Sequence, residues 1–184
     1  MRAMLLVAAA ALSIAGCGPK ERRVVYEPPV TEKYGADPSD PDKALYEQLR
    51  SGSVQMAAVA QTLSEVRNMA TSLQGTLGGE AEDALNDILA VLDSVGAMVT
   101  DLSVDPPTQE QVSTDFAGAD DRRKAAIRDA SDAYVELSEA FGISKSVEEV
   151  YPDFIKLSDL LAIAQGDLSE AVAAFGGKIE SVGD

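Results

Sequence analysis

Few residues in this chain can do covalent or proton chemistry, and their types narrow what it can do. Cys17 is the single cysteine, and histidine and tryptophan are absent. One thiol cannot close a disulfide within a chain. Without imidazole there is no histidine-ligated zinc or haem and no Glu-x-x-His ligand set of a di-iron bundle. Ser-His-Asp and Cys-His nucleophiles are excluded as well. Carboxylates are plentiful, 31 Asp and Glu against 15 Lys and Arg, so composition leaves carboxylate-only catalysis of the glycosidase kind open. No acidic residue falls on an apolar stripe, however, so none has the shielded surroundings that raise a pKa. Asp37, Asp40 and Asp42 could face calcium, but the glycine and terminal glutamate of an EF-hand loop are missing, and helix capping accounts for Asp40. Arg123 is the one charged residue at an apolar helical position. A buried guanidinium needs a carboxylate or a bound anion, which makes Arg123 the candidate ligand or ion-pair position. The alternatives are a locally rotated helix, or a packed stem whose head reaches water. No catalytic residue, metal ligand or cofactor is expected.

Cys17 ends a distinctive leader. Met1-Arg2-Ala3 is followed by the apolar run Met4 to Leu12 and then Ser13-Ile14-Ala15-Gly16-Cys17. Met4 to Ala15 is 12 residues, about 18 Å as a helix against a hydrocarbon core of about 30 Å. That is too short to span a bilayer and suits a signal-peptide core. The segment resembles the lipobox of bacterial lipoproteins, with Ile14 where leucine is usual. The resemblance implies cleavage between Gly16 and Cys17 and acylation of Cys17 by chains such as palmitate. The protein would then sit in the cell envelope, held on a membrane by lipid rather than by a spanning helix. Gly18 stands where aspartate would retain a lipoprotein in the inner membrane. In a diderm cell this favours the periplasmic face of the outer membrane; otherwise the outer face of the cytoplasmic membrane is expected.

Residues 17–40 read as a flexible, disordered tether interrupted by Pro19, Pro28, Pro29 and Pro38. Its extended reach is roughly 70 Å. Val24-Val25-Tyr26 could pair as a strand, but an ordinary linker is the favoured reading. From Asp40 onward the pattern is helical. Leu45, Leu49, Gly52, Met56, Val59, Leu63, Val66, Ala70, Leu73 and Leu77 alternate spacings of four and three. Similar stripes run from Ala81 to Leu102, from Val112 through Arg123 to Phe141, and from Phe154 to Phe175. Gly78-Gly79, Asp105-Pro106-Pro107, Gly142 and Gly176-Gly177 are the expected stops; Thr108 with Gln111 has the spacing of a capping box and starts the third helix, and Ser146 with Glu149 has the same spacing.

Short loops force antiparallel neighbours. The first two stripes match about residue 79, with Leu73 level with Leu85 and Val59 with Val99. The second and third match between residues 107 and 108. The third and fourth match between 145 and 146, setting Phe116 level with Phe175. The expected fold is therefore all-α, an up-down-up-down four-helix bundle of coiled-coil-like packing. The chain divides into a signal peptide at 1–16, the lipidated cysteine and tether at 17–40, the bundle at 41–177 and a tail at 178–184. Residues 41–52 overhang their partner stripe and could form a separate helix broken at Ser51-Gly52-Ser53.

Loss of the leader removes Arg2 and leaves 14 basic against 31 acidic residues, a formal charge of −17. Such a surface repels nucleic acid and anionic headgroups. The expected function is a non-enzymatic envelope protein that presents an acidic helical bundle to a protein partner, with self-association left open. The alternative is a binding module holding a small apolar ligand, lipid or cation.

Overall fold

The computed structural model describes residues 22–26 and 40–181. The leader, Cys17 with its cleavage site and residues 182–184 lie outside the described residues. The described part is predominantly helical, with five helices: α1 Pro41–Leu73, α2 Glu80–Leu102, α3 Gln109–Thr114, α4 Phe116–Glu148 and α5 Phe154–Ala174. Two strands, β1 Arg22–Tyr26 and β2 Gly177–Ser181, pair antiparallel, from Arg22 opposite Ser181 to Tyr26 opposite Gly177. The pairing reading of Val24-Val25-Tyr26, set below the linker reading from sequence, is the one the structure adopts. Part of the expected carboxyl-terminal tail is its partner.

Side-chain caps start α1, α3 and α4. Asp40 accepts from the Lys43 amide at 3.0 Å, and Pro41 occupies the first turn, where its missing N–H is not needed. Thr108 and Gln111 close a reciprocal capping box on α3. Asp115 then accepts from the Gly118 amide at 3.1 Å and starts α4. That second cap splits the single helix expected from Thr108 onward. Its consequence is local: Val112 turns onto Leu45, Leu49 and Ala119 in a small separate cluster, and Phe116, expected in the core, is 38% exposed.

Helix ends also differ from expectation. A glycine stops a helix by adopting positive φ, and Gly75 does so at φ 71°, so α1 ends at Leu73 rather than at Gly78-Gly79. Gly142 has no positive φ, and α4 runs through it to Glu148. Ser146 does not cap a new helix; its hydroxyl donates to the Ile143 carbonyl at 2.7 Å. Residues 41–52 are continuous with the rest of α1.

The core is built from the apolar stripes. Leu45, Met56, Val59, Val66, Leu85, Ile88, Ile127, Leu137, Leu157, Leu161 and Leu168 are fully buried. α1 packs against α2 and α5, and α4 packs against the same two. Contacts between neighbours run in opposite chain directions. Arg67 pairs with Asp93, and the Gly75 amide donates to Glu82, across α1 and α2. Thr62 donates to Asp167 at 2.6 Å across α1 and α5. Between α4 and α5, Ser144 and Ser158 share a buried hydrogen bond, and Gln165 donates to Ser138 at 2.9 Å. These last contacts centre near residue 151, not between 145 and 146. The extra turns of α4 beyond Gly142 moved the reversal, so Phe116 is not level with Phe175.

The internal glycines sort by what surrounds them. A Cβ at Gly52 would overlap the Phe175 ring, whereas one at Gly96 or Gly166 would meet nothing within 4 Å. Gly96→Ala should therefore raise stability by about 1 kcal/mol. Gly52→Ala should lower it by about 1–3 kcal/mol through overpacking. Urea denaturation of the two variants checks both, and a Gly52→Ala protein as stable as the parent would contradict the Phe175 position.

Candidate functional site

Arg123 lies on α4 and is 3% exposed. Its Nε and Nη2 donate to Asp120 Oδ1 at 3.0 and 2.9 Å, one turn back on the same helix. Its Nη1 donates to the backbone carbonyl of Phe175 at 3.3 Å. That carbonyl belongs to the carboxyl-terminal cap of α5, where helical carbonyls lack internal partners and a cation is favoured. The guanidinium thus bridges two helices with its charge matched inside the protein. Neither a rotated helix nor a head in solvent describes it. Asp120 also accepts from Lys124 Nζ at 2.7 Å, an i,i+4 pair. Arg128 pairs with its neighbour Asp129 at 3.3 Å.

Burial alone would raise the Asp120 carboxyl. Hydrogen bonds from Lys124 and Arg123, together with their positive charges, outweigh burial and hold it below the usual carboxylate range.

The surroundings of Arg123 are built around the end of α5. Phe175 is 1% exposed, with its ring on the Gly52 backbone of α1. Gly176 takes φ 82°, and a Cβ there would crowd Gln48 Nε2 and Arg123 Nη1. Gly177 sits against Ile127 and Val172 with no room for a side chain. Gln48 is 2% exposed, and its Oε1 accepts no hydrogen bond from the described residues. Sequence reading singled out Arg123 and Gly52 but missed Gln48 and the Phe175 carbonyl. The four-residue spacing of Ala44, Gln48 and Gly52, which sets Gln48 beside the α1 stripe, was the available signal.

Of the aspartates considered for calcium, Asp40 is a helix cap and Asp37 lies outside the described residues. Among the described residues no three acidic, cysteine or histidine side chains are placed to hold a metal ion. Open grooves among the described residues include one of about 530 Å³ between α1 and α2, beside Ala60, Ser64, Gly96 and Ala97. A second, about 470 Å³, lies beside Leu49, Pro106, Pro107, Arg122 and Phe175. Among the described residues no helix is long and apolar enough to cross a membrane.

No protein-family model matches the chain, and no curated protein or solved structure matches it.

Removing Asp120 would take away the carboxylate to which the buried Arg123 guanidinium donates. Asp120→Ala should cost about 3 kcal/mol, while Arg123→Met, which removes the charge and keeps the bulk, should cost less. The lowered carboxyl pKa adds a pH signature. Its stabilisation is complete above the unfolded-state pKa, near 4, and fades as pH falls through the lower folded-state value. The gap in unfolding free energy between the parent and Asp120→Asn should therefore narrow from pH 6 to pH 3. Urea titrations at the two pH values measure it.

Proposed function

We propose that this chain is a lipid-anchored, non-enzymatic envelope protein whose four long helices form an up-down-up-down bundle presented to a protein partner. The observation that carries this reading is the lipobox-like Ile14-Ala15-Gly16-Cys17 at the end of a short apolar run. Cleavage before Cys17 and its acylation would hold the protein at a membrane surface. The periplasmic face of the outer membrane is favoured in a diderm cell. α3 lies outside the four-helix core as an end cover over Leu45 and Leu49. The bundle reading is supported by α1, α2, α4 and α5 each packing on two of the others, with contacts that run in opposite chain directions. Exposed acidic side chains, among them Glu65, Asp83, Asp87 and Asp101, leave a strongly negative exterior suited to a basic partner surface.

A second reading rests on the α1–α2 groove. Gly96, Ala97, Ala60 and Ser64 leave it open where larger side chains would close it. That slot would hold a small apolar ligand or lipid, and Gly96→Leu would fill it.

Membrane fractionation of cells making the parent or Cys17→Ser chain tests the anchor. The parent should remain with membranes and the variant should be released; equal retention would refute anchoring through Cys17. Crosslinking in cells followed by mass spectrometry should recover an envelope protein joined to the bundle, and recovery of none would count against the scaffold role.

A further inference from the structure

We propose that the β1–β2 pair is a clasp that ties the amino-terminal segment to the helical body and sets how far that body stands from a lipid held at Cys17. The membrane consequence rests on the lipid-anchor reading; the clasp itself does not. β2 begins at Gly177, directly after the buried Phe175 and the Gly176 turn. Its Ile179 packs against the main core, β2 lies against α5, and β1 lies against α4. An isolated two-stranded ribbon is marginal in water, but one packed on helices gains the burial it otherwise lacks. The register pairs all five residues of β1 with all five of β2.

Chain geometry then sets the leash. Arg22 is five residues from Cys17, and five residues span at most about 18 Å whatever path they take. With β1 unpaired, the free length would extend to Asp40, and the reach would be roughly 70 Å. The clasp therefore shortens the leash about fourfold and holds the protein by the flank where α4 and α5 carry the strands. A partner must then lie close to the membrane surface, within that short leash plus the length of the body. α1 has 33 residues, about 50 Å of helix.

The test has two arms. Hydrogen bonds alternate along a strand of an antiparallel pair, so one of two neighbouring residues donates inward. The double substitution Val24→Pro with Val25→Pro must therefore remove one. In the full chain, the alternate amides of residues 178–181 that donate to β1 should be protected from hydrogen exchange. The double variant should exchange them at least ten times faster, with helical circular dichroism unchanged. No protected amide among residues 178–181 in the parent, or equal protection in both proteins, would overturn the clasp. In the second arm, acylated protein purified from membranes is placed in a supported bilayer and its height read by neutron reflectometry. Parent protein density should begin within about 20 Å of the headgroups, and the double variant should spread several-fold further. Equal profiles would overturn the standoff. Intact mass shows separately whether Cys17 is acylated: a bare thiol overturns the anchor reading and the standoff with it, while the exchange arm still decides the clasp.

Discussion

The ring of Phe175 occupies the space that a side chain at residue 52 would need, and most of the arrangement around it follows from that contact. Gly52 costs helix propensity in the middle of α1, yet only glycine lets the end of α5 come this close. Once Phe175 is seated, its carbonyl faces α4, where Arg123 donates to it. The next residue must reverse direction, which Gly176 does with a positive φ, and Gly177 passes over Ile127 and Val172 where no side chain fits. Three glycines, one aromatic ring and one ion pair thus join α1, α4 and α5 and aim β2 back across the helices. The buried arginine is a structural tie whose charge Asp120 balances.

Packing supplies the rest of the stability. With one cysteine and no histidine, neither an internal disulfide nor a conventional zinc site can staple the fold. Large aliphatic side chains repeat along each stripe, with alanines such as Ala70, Ala130, Ala140 and Ala164 letting the helices approach. Polar contacts between helices include Arg67 with Asp93, Thr62 with Asp167, Ser138 with Gln165 and Ser144 with Ser158. They select one register among apolar surfaces that would otherwise slide. The Lys145–Glu148 pair lies beside the serine contact, and the lysine holds the Glu148 carboxyl below its ordinary range.

Which parts were legible in the sequence follows from the range of the interactions. The stripes were readable because helix burial repeats every three or four residues, and nearly every stripe position from Leu45 to Ala70 and from Ala81 to Val99 is buried. Caps made within three residues, at Asp40 and Thr108, were readable for the same reason. Asp115 was not, because an aspartate between two helical stretches looks like any solvated residue until its carboxylate is seen on the Gly118 amide. Gly142 and Gly75 cannot be told apart by identity; only the second adopts a positive φ. That one difference shifted the α4–α5 register. The strand pair joins segments about 150 residues apart in chain order, and five residues with two prolines following carry too little pattern to announce a partner. Arg123 was visible as an anomaly and Asp120 as its neighbour, but a backbone carbonyl from another helix leaves no mark in composition.

The functional reading draws on both ends of the chain. The leader bears on location, the acidic exterior on what can approach, and the junction at Phe175 on how the amino-terminal segment meets the helical body. That junction depends on α5 ending against α1 at Gly52. Proton NMR tests that seat directly. The Gly52 α-protons should show nuclear Overhauser contacts to the Phe175 ring and ring-current shifts away from ordinary helical values. Gly52 α-protons at unperturbed helical shifts, with contacts only to other residues of α1, would contradict the account.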